Sequence, residues 1–288
     1  MTSEVQTGLM QATEIARQSD LRQSSNGVRY TAFGENNLES ADLDRIVQAV
    51  PAAIAASLGK KAYYFVPLAL TERPVIALAD SDAGPAKETL STPVDSTGDH
   101  DTLIATTYTA ELSDRAICHR NVQLPGTEGS GKEGSIDGVF ISTRLLADRF
   151  ALAFEFFINV GHAFVDIAGI PESFSDLVWK QALADVRGET SQDAWESRAL
   201  SLVKDEKNEA KPRIDEKAKF EFLEAAFSDA VAIYQLSLAI DFDYAELRER
   251  DYPLLAPQAL AERLRLVAKL FPPNAGYDFA IRYRRRRG

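Results

Sequence analysis

Four polar side chains interrupt an otherwise apolar segment near the middle of the chain, and their types could do chemistry together. Within residues 150–168 these are Glu155, Asn159, His162 and Asp166, separated by four, three and four positions. On a helix with 3.6 residues per turn, this spacing predicts a single stripe. An acid, an amide, an imidazole and a second acid facing one place indicate either an acid–base site or a structural hydrogen-bond network, because buried polar groups need partners.

The neighbouring side chains predict that this helix is buried. They are apolar on every other face, which is not typical of a surface helix, and include Phe154, Phe156, Phe157, Ile158, Val160, Phe164 and Val165. The apolar run is shorter than a membrane span and carries ionisable groups. We interpret the segment as a core helix and expect no membrane span.

Composition narrows the classes of partner. The 288 residues carry a net charge of −11 and are 45% hydrophobic, as expected for a folded protein without nucleic acid as its main partner. The single cysteine, Cys118, excludes an internal disulfide and favours a reducing compartment, so we expect a cytoplasmic protein. The polar N-terminus does not resemble a signal peptide. The basic tail at 282–288, with its arginine run Arg284 to Arg287, is interpreted as solvated.

The periodicity predicts an α+β protein, with a mixed sheet of about five strands followed by a helical half. Residues 1–28 are polar and are interpreted as a flexible arm. A single domain is predicted over 29–281, with a sheet half at 29–142 and a helical half at 143–281. Strands are predicted at 61–70, 73–79, 102–110, 115–123 and 138–142. Helices are predicted at 40–59 (interrupted by Pro51), 143–168, 173–186, 193–209, 215–240 and 257–270.

Other motifs favour structural roles. Residues 126–133 (GTEGSGKE) match a phosphate loop except that Glu133 replaces the metal-binding hydroxyl, so we interpret them as a loop between strands. Cys118 and His119 should face opposite sides of a strand. A zinc site with several imidazoles would require His100, His119 and His162 to converge, and the spacing of Glu155 and His162 fits a helical di-iron site only with further ligands from neighbouring helices.

Residues 157–166 (FINVGHAFVD) resemble the active-site helix of zincin metallopeptidases with the HExxH motif altered. The nearest likeness is to the anthrax-lethal-factor-like group, on the match of VGHA at 160–163 and the following DIAG at 166–169. A segment at 175–178 (SDLV) and a later helix at 221–227 (EFLEAAF) complete the resemblance, which covers about residues 138–236. It implies a zincin-like fold in which a strand leads into the motif helix.

The resemblance implies roles for particular residues. His162 occupies the second histidine ligand position and Glu221 the glutamate ligand position. Ile158 stands at the first histidine position and Asn159 at the catalytic glutamate position. Isoleucine cannot bind a metal and an amide cannot accept the proton of zinc-bound water, and residues 188–220 contain no tyrosine to match the group's oxyanion-stabilising residue. Ordinary zinc peptide hydrolysis is therefore disfavoured.

Three functions remain open. The first is a retained cleft that binds or transforms an apolar small molecule by metal-independent acid–base chemistry. The second is a pseudoenzyme that binds a protein or peptide in the old substrate groove, and the third is an active zinc peptidase with an atypical ligand set that recruits Glu155 or Glu224. No metal ligands or cofactor are assigned, although zinc stays possible. We expect catalytic roles for His162, Asn159 and Glu155, and substrate contacts from Phe154, Ile158, Asp166, Glu221 and Glu224.

Overall fold

The α+β class predicted from the sequence is confirmed. The computed structural model describes residues 8–71, 102–125, 135–148, 150–203, 213–241 and 252–280. These ranges contain a five-stranded sheet built from the N-terminal half and a set of helices that form the C-terminal half. The strand predicted at 73–79, the loops carrying His100 and 126–133, and the basic tail lie outside the described residues.

The described strands are short. They are β1 (Leu9–Gln11), β2 (Arg22–Gln23), β3 (Arg29–Ala32), β4 (Lys61–Val66), β5 (Leu68–Leu70), β6 (Leu103–Ala105), β7 (Ala116–Ile117), β8 (His119–Leu124), β9 (Ile136–Ser142), β10 (Leu202–Val203) and β11 (Arg213–Ile214). One sheet has the order β2-β3-β4-β9-β8, a second has the order β1-β6-β5-β7, and β10 pairs with β11.

The described helices are concentrated after residue 150. They are α1 (Ala12–Gln18), α2 (Ser40–Gln48), α3 (Ala52–Ala55), α4 (Ala110–Ser113), α5 (Ala151–Ala168), α6 (Glu172–Leu183), α7 (Gln192–Ser201), α8 (Glu216–Ala239) and α9 (Pro257–Leu270). Short 3-10 helices cover Ala56–Leu58 and Thr143–Ala147. The α9 range equals the predicted one, and Pro51 separates α2 from α3 as expected, because proline lacks the N–H that a continuing helix needs.

Two predicted strands are each divided in the structure. The strand expected at 61–70 breaks at Pro67, so β4 and β5 belong to different sheets, because proline cannot donate to a strand ladder. The strand expected at 115–123 breaks at Cys118 into β7 and β8. The buried Ser142 hydroxyl, which accepts a hydrogen bond from the Ala69 N–H at 2.8 Å, also bonds the Ile117 carbonyl and so satisfies backbone groups beside this second break.

Much of the segment expected to be a flexible arm is folded. Residues 9–23 form β1, α1 and β2 in place of a loose chain. Ala12 and Ile15 of α1 have no exposed surface. Burial of these two side chains explains the difference, since a few apolar residues in a polar segment are enough to fix a short helix when a core covers them.

The chain divides into two compact units. The first is built from the described parts of residues 1–20, 31–36 and 62–144, and the second from those of 21–30, 37–61 and 145–288. Helices α2, α3 and α5 to α9 all belong to the second unit. The single domain expected over 29–281, with its sheet half at 29–142 and helical half at 143–281, stays a prediction.

Within the second unit, the side chain of Asn274 stabilises the break between α2 and α3 by hydrogen bonding. Its Nδ2 donates hydrogen bonds to the carbonyls of Gln48 and Val50, each at 2.8 Å. Its Oδ1 accepts one from the N–H of Ala52 at 2.9 Å. One side chain from the loop after α9 therefore satisfies three backbone groups that Pro51 leaves without helical partners.

Among the described residues, α5 is the one helix whose length and composition would let it cross a membrane. Within the protein, 56% of this helix is buried, and Phe156, Phe157 and Val160 have no exposed surface. The core helix of a folded protein passes the same test. The described part of the chain therefore contains no clear membrane span.

Candidate functional site

The polar stripe of α5 is partly or fully buried toward the N-terminal end of the helix and exposed to solvent toward its C-terminal end. Glu155 is half-buried and Asn159 is 8% exposed, whereas His162 and Asp166 are both exposed. The helix is thus buried on most of its circumference and open along one edge near its C-terminal end. Most of the apolar side chains of α5 are buried, as predicted, whereas His162 and Asp166 of the polar stripe are exposed to solvent.

Asn159 is held within its own helix. Its Nδ2 donates to the Glu155 carbonyl oxygen at 2.9 Å and to Glu155 Oε1 at 3.3 Å. The side-chain amide therefore bonds one turn back along α5. This arrangement stabilises the helix edge, and it brings together two of the three residues predicted to be catalytic.

Helices α5 and α8 make a close backbone contact at Gly161 and Ser228. A Cβ atom on Gly161 would lie 2.7 Å from the carbonyl oxygen of Ser228, a distance that no side chain tolerates against backbone. On the next turn, the rings of Phe164 and Phe227 lie 6.3 Å apart. Gly161, Phe164 and Asp166 along α5 meet Ser228, Phe227 and Glu224 of α8, in reverse chain order, so the two helices run antiparallel. Glycine at 161 permits the close contact, because it has no Cβ.

This crossing brings predicted site residues of both helices together. Burial raises the pKa of the Glu224 carboxyl, and the nearby charges of Asp166 and Glu221 raise it further, while the charge of His162 lowers it. Glu224 is therefore within electrostatic reach of three other residues that the sequence singled out. We call His162, Asp166, Glu221, Glu224 and Asp229 the carboxylate–imidazole cluster.

Asp229, which the sequence analysis missed, is the buried member of this cluster. It is 9% exposed, and its Oδ2 accepts a hydrogen bond from Thr190 Oγ1 at 2.8 Å. Burial raises the pKa of its carboxyl, while hydrogen bonds from Ser191 and Thr190 and the charge of His162 lower it. Its sequence context, inside the apolar part of α8, gives no periodic pattern that would mark it.

The remaining predicted residues differ in what they can contact. Phe154 and Ile158 are half-buried on α5 and can touch a molecule at its open edge. Phe156, Phe157 and Phe164 are in the core and cannot wall a pocket there. Glu221, which the zincin resemblance places at the glutamate ligand position, is exposed. Its carboxylate lies 3.6 Å from Lys217 Nζ.

The described ranges contain no group of three or more His, Cys, Asp or Glu side chains arranged to hold a metal ion. Cys118 is exposed and lies between β7 and β8 in the first unit. His119 begins β8 in the same unit. Neither residue belongs to the unit that holds the carboxylate–imidazole cluster.

A second polar centre lies wholly inside the second unit. Glu189 and Arg263 have no exposed surface, and Arg198 and Gln181 are each 6% exposed. Both Glu189 oxygens accept from Arg263, at 2.8 and 3.3 Å, and Oε1 also accepts from Arg198 Nη1 at 3.0 Å. Gln181 Oε1 accepts from Arg263 Nε at 2.8 Å. We call these four residues the buried arginine network.

Backbone geometry fixes Glu189 at the centre of this network. Its N–H donates to the Pro253 carbonyl at 3.0 Å, and its carbonyl accepts from the Leu255 N–H at 3.0 Å. The preceding residue, Gly188, has φ +78°, and a Cβ there would lie 2.0 Å from the Leu254 carbonyl oxygen. Only glycine fits this close approach.

Glu189 and Arg198 lie in a charged stretch whose composition is typical of a solvated surface, yet both side chains are buried, because they neutralise one another in the interior.

The sequence of this chain matches no protein family model, and it matches no curated protein.

Proposed function

We propose that this chain is a zincin-like protein in which the carboxylate–imidazole cluster acts as a metal-independent acid–base site for an apolar small molecule. The observation that carries the proposal is the juxtaposition of His162 and Asp166 on α5 with the half-buried Glu224 on α8, where burial also raises the pKa of the Glu224 carboxyl. A carboxyl whose pKa is raised holds a proton more readily and can exchange it with a neighbouring imidazole or with a bound molecule.

The position of the cluster supports a small ligand. His162 and Asp166 are open to solvent on α5, and the half-buried Phe154 and Ile158 lie on the preceding turns of the same helix edge. An apolar body resting on these two side chains would present a polar group to His162. Because the helix edge carries both kinds of side chain, it suits a molecule with one apolar and one polar end.

Binding of small-molecule fragments, monitored by nuclear magnetic resonance, tests the proposal. We expect small aromatic acids and amines to shift the signals of Ile158 and His162, both with and without a chelator. His162→Gln should weaken this binding by about tenfold or more, equivalent to roughly 1.4 kcal/mol, with little change in unfolding temperature. Asp176→Asn, an exposed carboxylate on α6, is the matched control. Binding that requires added zinc, or that ignores His162→Gln, would contradict the proposal.

A second function, binding of a peptide from a partner protein, is favoured by exposed apolar side chains beside the cluster. Ile167 follows Asp166 and is 56% exposed, and Phe220 precedes Glu221 and is 59% exposed. Selection of peptides from a display library for binding to the protein would test this second function. Selected peptides should lose binding to the Ile167→Ser, Phe220→Ser double variant and keep binding to Leu200→Ser, a variant of another exposed apolar residue.

The single cysteine favours a particular cellular compartment for this activity. Cys118, the single cysteine of the chain, is exposed, and an exposed thiol is best preserved in a reducing compartment. We therefore place the protein in the cytoplasm as part of the same proposal.

A further inference from the structure

The pair Asn26–Gly27 is the one place in the sequence where glycine directly follows asparagine. In such a pair the backbone nitrogen of glycine, which no side chain obstructs, can attack the side-chain carbonyl carbon of asparagine. A new C–N bond closes a succinimide ring, the bond from that carbon to Nδ2 breaks, and ammonia leaves with the backbone proton. Water then opens the ring to aspartate or isoaspartate. In the net reaction, the amide and water become an acid and ammonia.

Asn26 and Gly27 lie in the turn between β2 and β3, where the attacking nitrogen is already engaged. The Gly27 N–H donates to the Ser24 carbonyl at 2.9 Å, and the Ser24 N–H donates to the Val28 carbonyl at 2.9 Å. The Val28 N–H donates to Asn26 Oδ1 at 3.2 Å. Gly27 has φ +99°, which favours glycine at this position. Both residues are partly open to solvent, so hydrogen bonding rather than burial restrains the reaction.

The side-chain amide of Asn26 links this turn to the break between α2 and α3. Its Nδ2 donates hydrogen bonds to the carbonyls of Val47 at 2.9 Å and Val50 at 2.8 Å, which uses both donors of the amide. A second link joins the Tyr30 hydroxyl of β3 to the Asp44 carboxylate of α2. The leaving nitrogen is therefore held at two points, and the reaction requires the turn to open first.

An acid at position 26 cannot remake the contacts of the amide. A carboxylate has only acceptors, so aspartate would place a charged oxygen where Nδ2 now donates to the carbonyls of Val47 and Val50. Acceptors that face one another without a donor are strongly disfavoured. Isoaspartate would also add a methylene group to the backbone of the turn. Either product therefore separates the turn from the α2–α3 break.

We propose that Asn26–Gly27 is a deamidation site whose reaction depends on opening of the β2–β3 turn and whose product keeps the turn apart from the α2–α3 break. Because ammonia is lost, each opening that leads to reaction is recorded permanently in the chain. Asn274, which bonds the same break, is followed by Ala275, whose side chain hinders the corresponding attack. The inference uses no residue of the carboxylate–imidazole cluster and does not rest on the function proposed for it.

Mass spectrometry of the unmodified full chain tests the dependence on opening. The protein is incubated at neutral pH with and without guanidinium chloride, and the peptide that contains Asn26 is analysed for conversion of amide to acid. We expect conversion at least about tenfold faster in the denaturant, because the folded chain must open locally before it reacts. In the denaturant, Gly27→Ala should slow the conversion several-fold. Equal rates in the folded and unfolded chain would overturn the proposal, and this comparison requires no variant to fold.

Substitution tests the effect of the product. Asn26→Asp should lower the unfolding temperature by about 4 °C or more. Asn121→Asp, which adds the same charge at an exposed position on β8, is the matched control and should lower it by less than about 2 °C. Hydrogen exchange localises the change: the backbone amides of Ser24 and Gly27 should exchange faster in Asn26→Asp, and those of α9 should not. The proposal is also overturned if Asn26→Asp is as stable as Asn121→Asp, or if the turn amides keep their exchange rates.

Discussion

The Glu189 carboxylate and the Arg263 guanidinium lie 2.8 Å apart, and neither side chain has any exposed surface. Arg198 adds a second guanidinium at 3.0 Å from the same carboxylate. Two cations therefore share one buried anion, and Arg198 also donates hydrogen bonds to the carbonyls of Val186, Gly188 and Ala182. Loops and helices separated by many residues are joined by this one contact set.

Removing the anion should be strongly destabilising. Glu189→Gln leaves Arg263 buried without its counter-charge and leaves Arg198 only the exposed carboxylate of Asp185 at 3.7 Å, and we expect the free energy of unfolding to fall by about 3–5 kcal/mol. Urea unfolding followed by circular dichroism measures the change. Glu196→Gln, at an exposed position on α7, should change it by less than about 0.5 kcal/mol. Equal effects of the two substitutions would show that the buried arginine network does not hold the fold.

A methyl group at the helix crossing should separate α5 from α8. Gly161→Ala places a Cβ 2.7 Å from the Ser228 carbonyl oxygen, and overpacking of this kind costs about 1–3 kcal/mol. Because His162 and Asp229 adjoin the contact, the signal of the His162 ring should also move. Gly59→Ala, where a Cβ meets nothing within 4 Å, is the control and should leave both stability and the ring signal unchanged.

The buried carboxyl of Asp229 predicts a pH dependence of stability. Its pKa is raised in the folded protein, chiefly by burial, so between about pH 3.9, the ordinary aspartate value, and its folded pKa the native state binds more protons than the unfolded state. The contribution of Asp229 is therefore fully present below that window and is lost as pH rises through it.

Asp229→Asn removes this titration and keeps an acceptor for Thr190. The difference in unfolding free energy, unmodified chain minus variant, should decrease as pH rises through the window. Unfolding curves collected at a series of pH values measure it, with Asp176→Asn as the exposed control. A difference that is constant or increases with pH would show that the carboxyl is not disfavoured in its charged form.

Restoring the zincin motif tests the resemblance itself. Ile158→His with Asn159→Glu recreates the missing ligand and base on one face of α5, four residues from His162. We expect about one zinc ion per chain by elemental analysis, and an unfolding temperature that rises when zinc is added. Adding His162→Ala to this variant should abolish both effects. A double variant that folds and takes up no zinc would show that the alignment of this helix to the zincins is wrong.

The sequence was most informative where a single residue type dictates local geometry. Pro51 predicts a helix break, because proline lacks the N–H that a continuing helix needs. Pro257 is the first residue of α9, a position at which the missing N–H has no cost. Pro67 divides β4 from β5 for the same reason, although the apolar run around it predicts a single strand. The α5 stripe follows from periodicity alone, but its exposure does not, since periodicity shows which residues share a face and not what covers that face.

The buried charges could not have been predicted from local pattern. Glu189 lies in a charged stretch that is typical of a solvated surface, and its partner Arg263 is 74 positions away. Asp229 likewise depends on Thr190, which lies on another element. Such pairs form through tertiary contact, for which a single sequence carries no periodic signature.

The hydrogen bonds of Asn274 can form only late in the synthesis of the chain. The α2–α3 break receives the partners of Gln48 and Ala52 from a residue more than 220 positions later, so a nascent chain leaving the ribosome lacks these two bonds until residue 274 has emerged. Contacts of such long range close late and slowly. A chain that stops short of residue 274 should accordingly hold α2 and α3 loosely and invite proteolysis at Pro51.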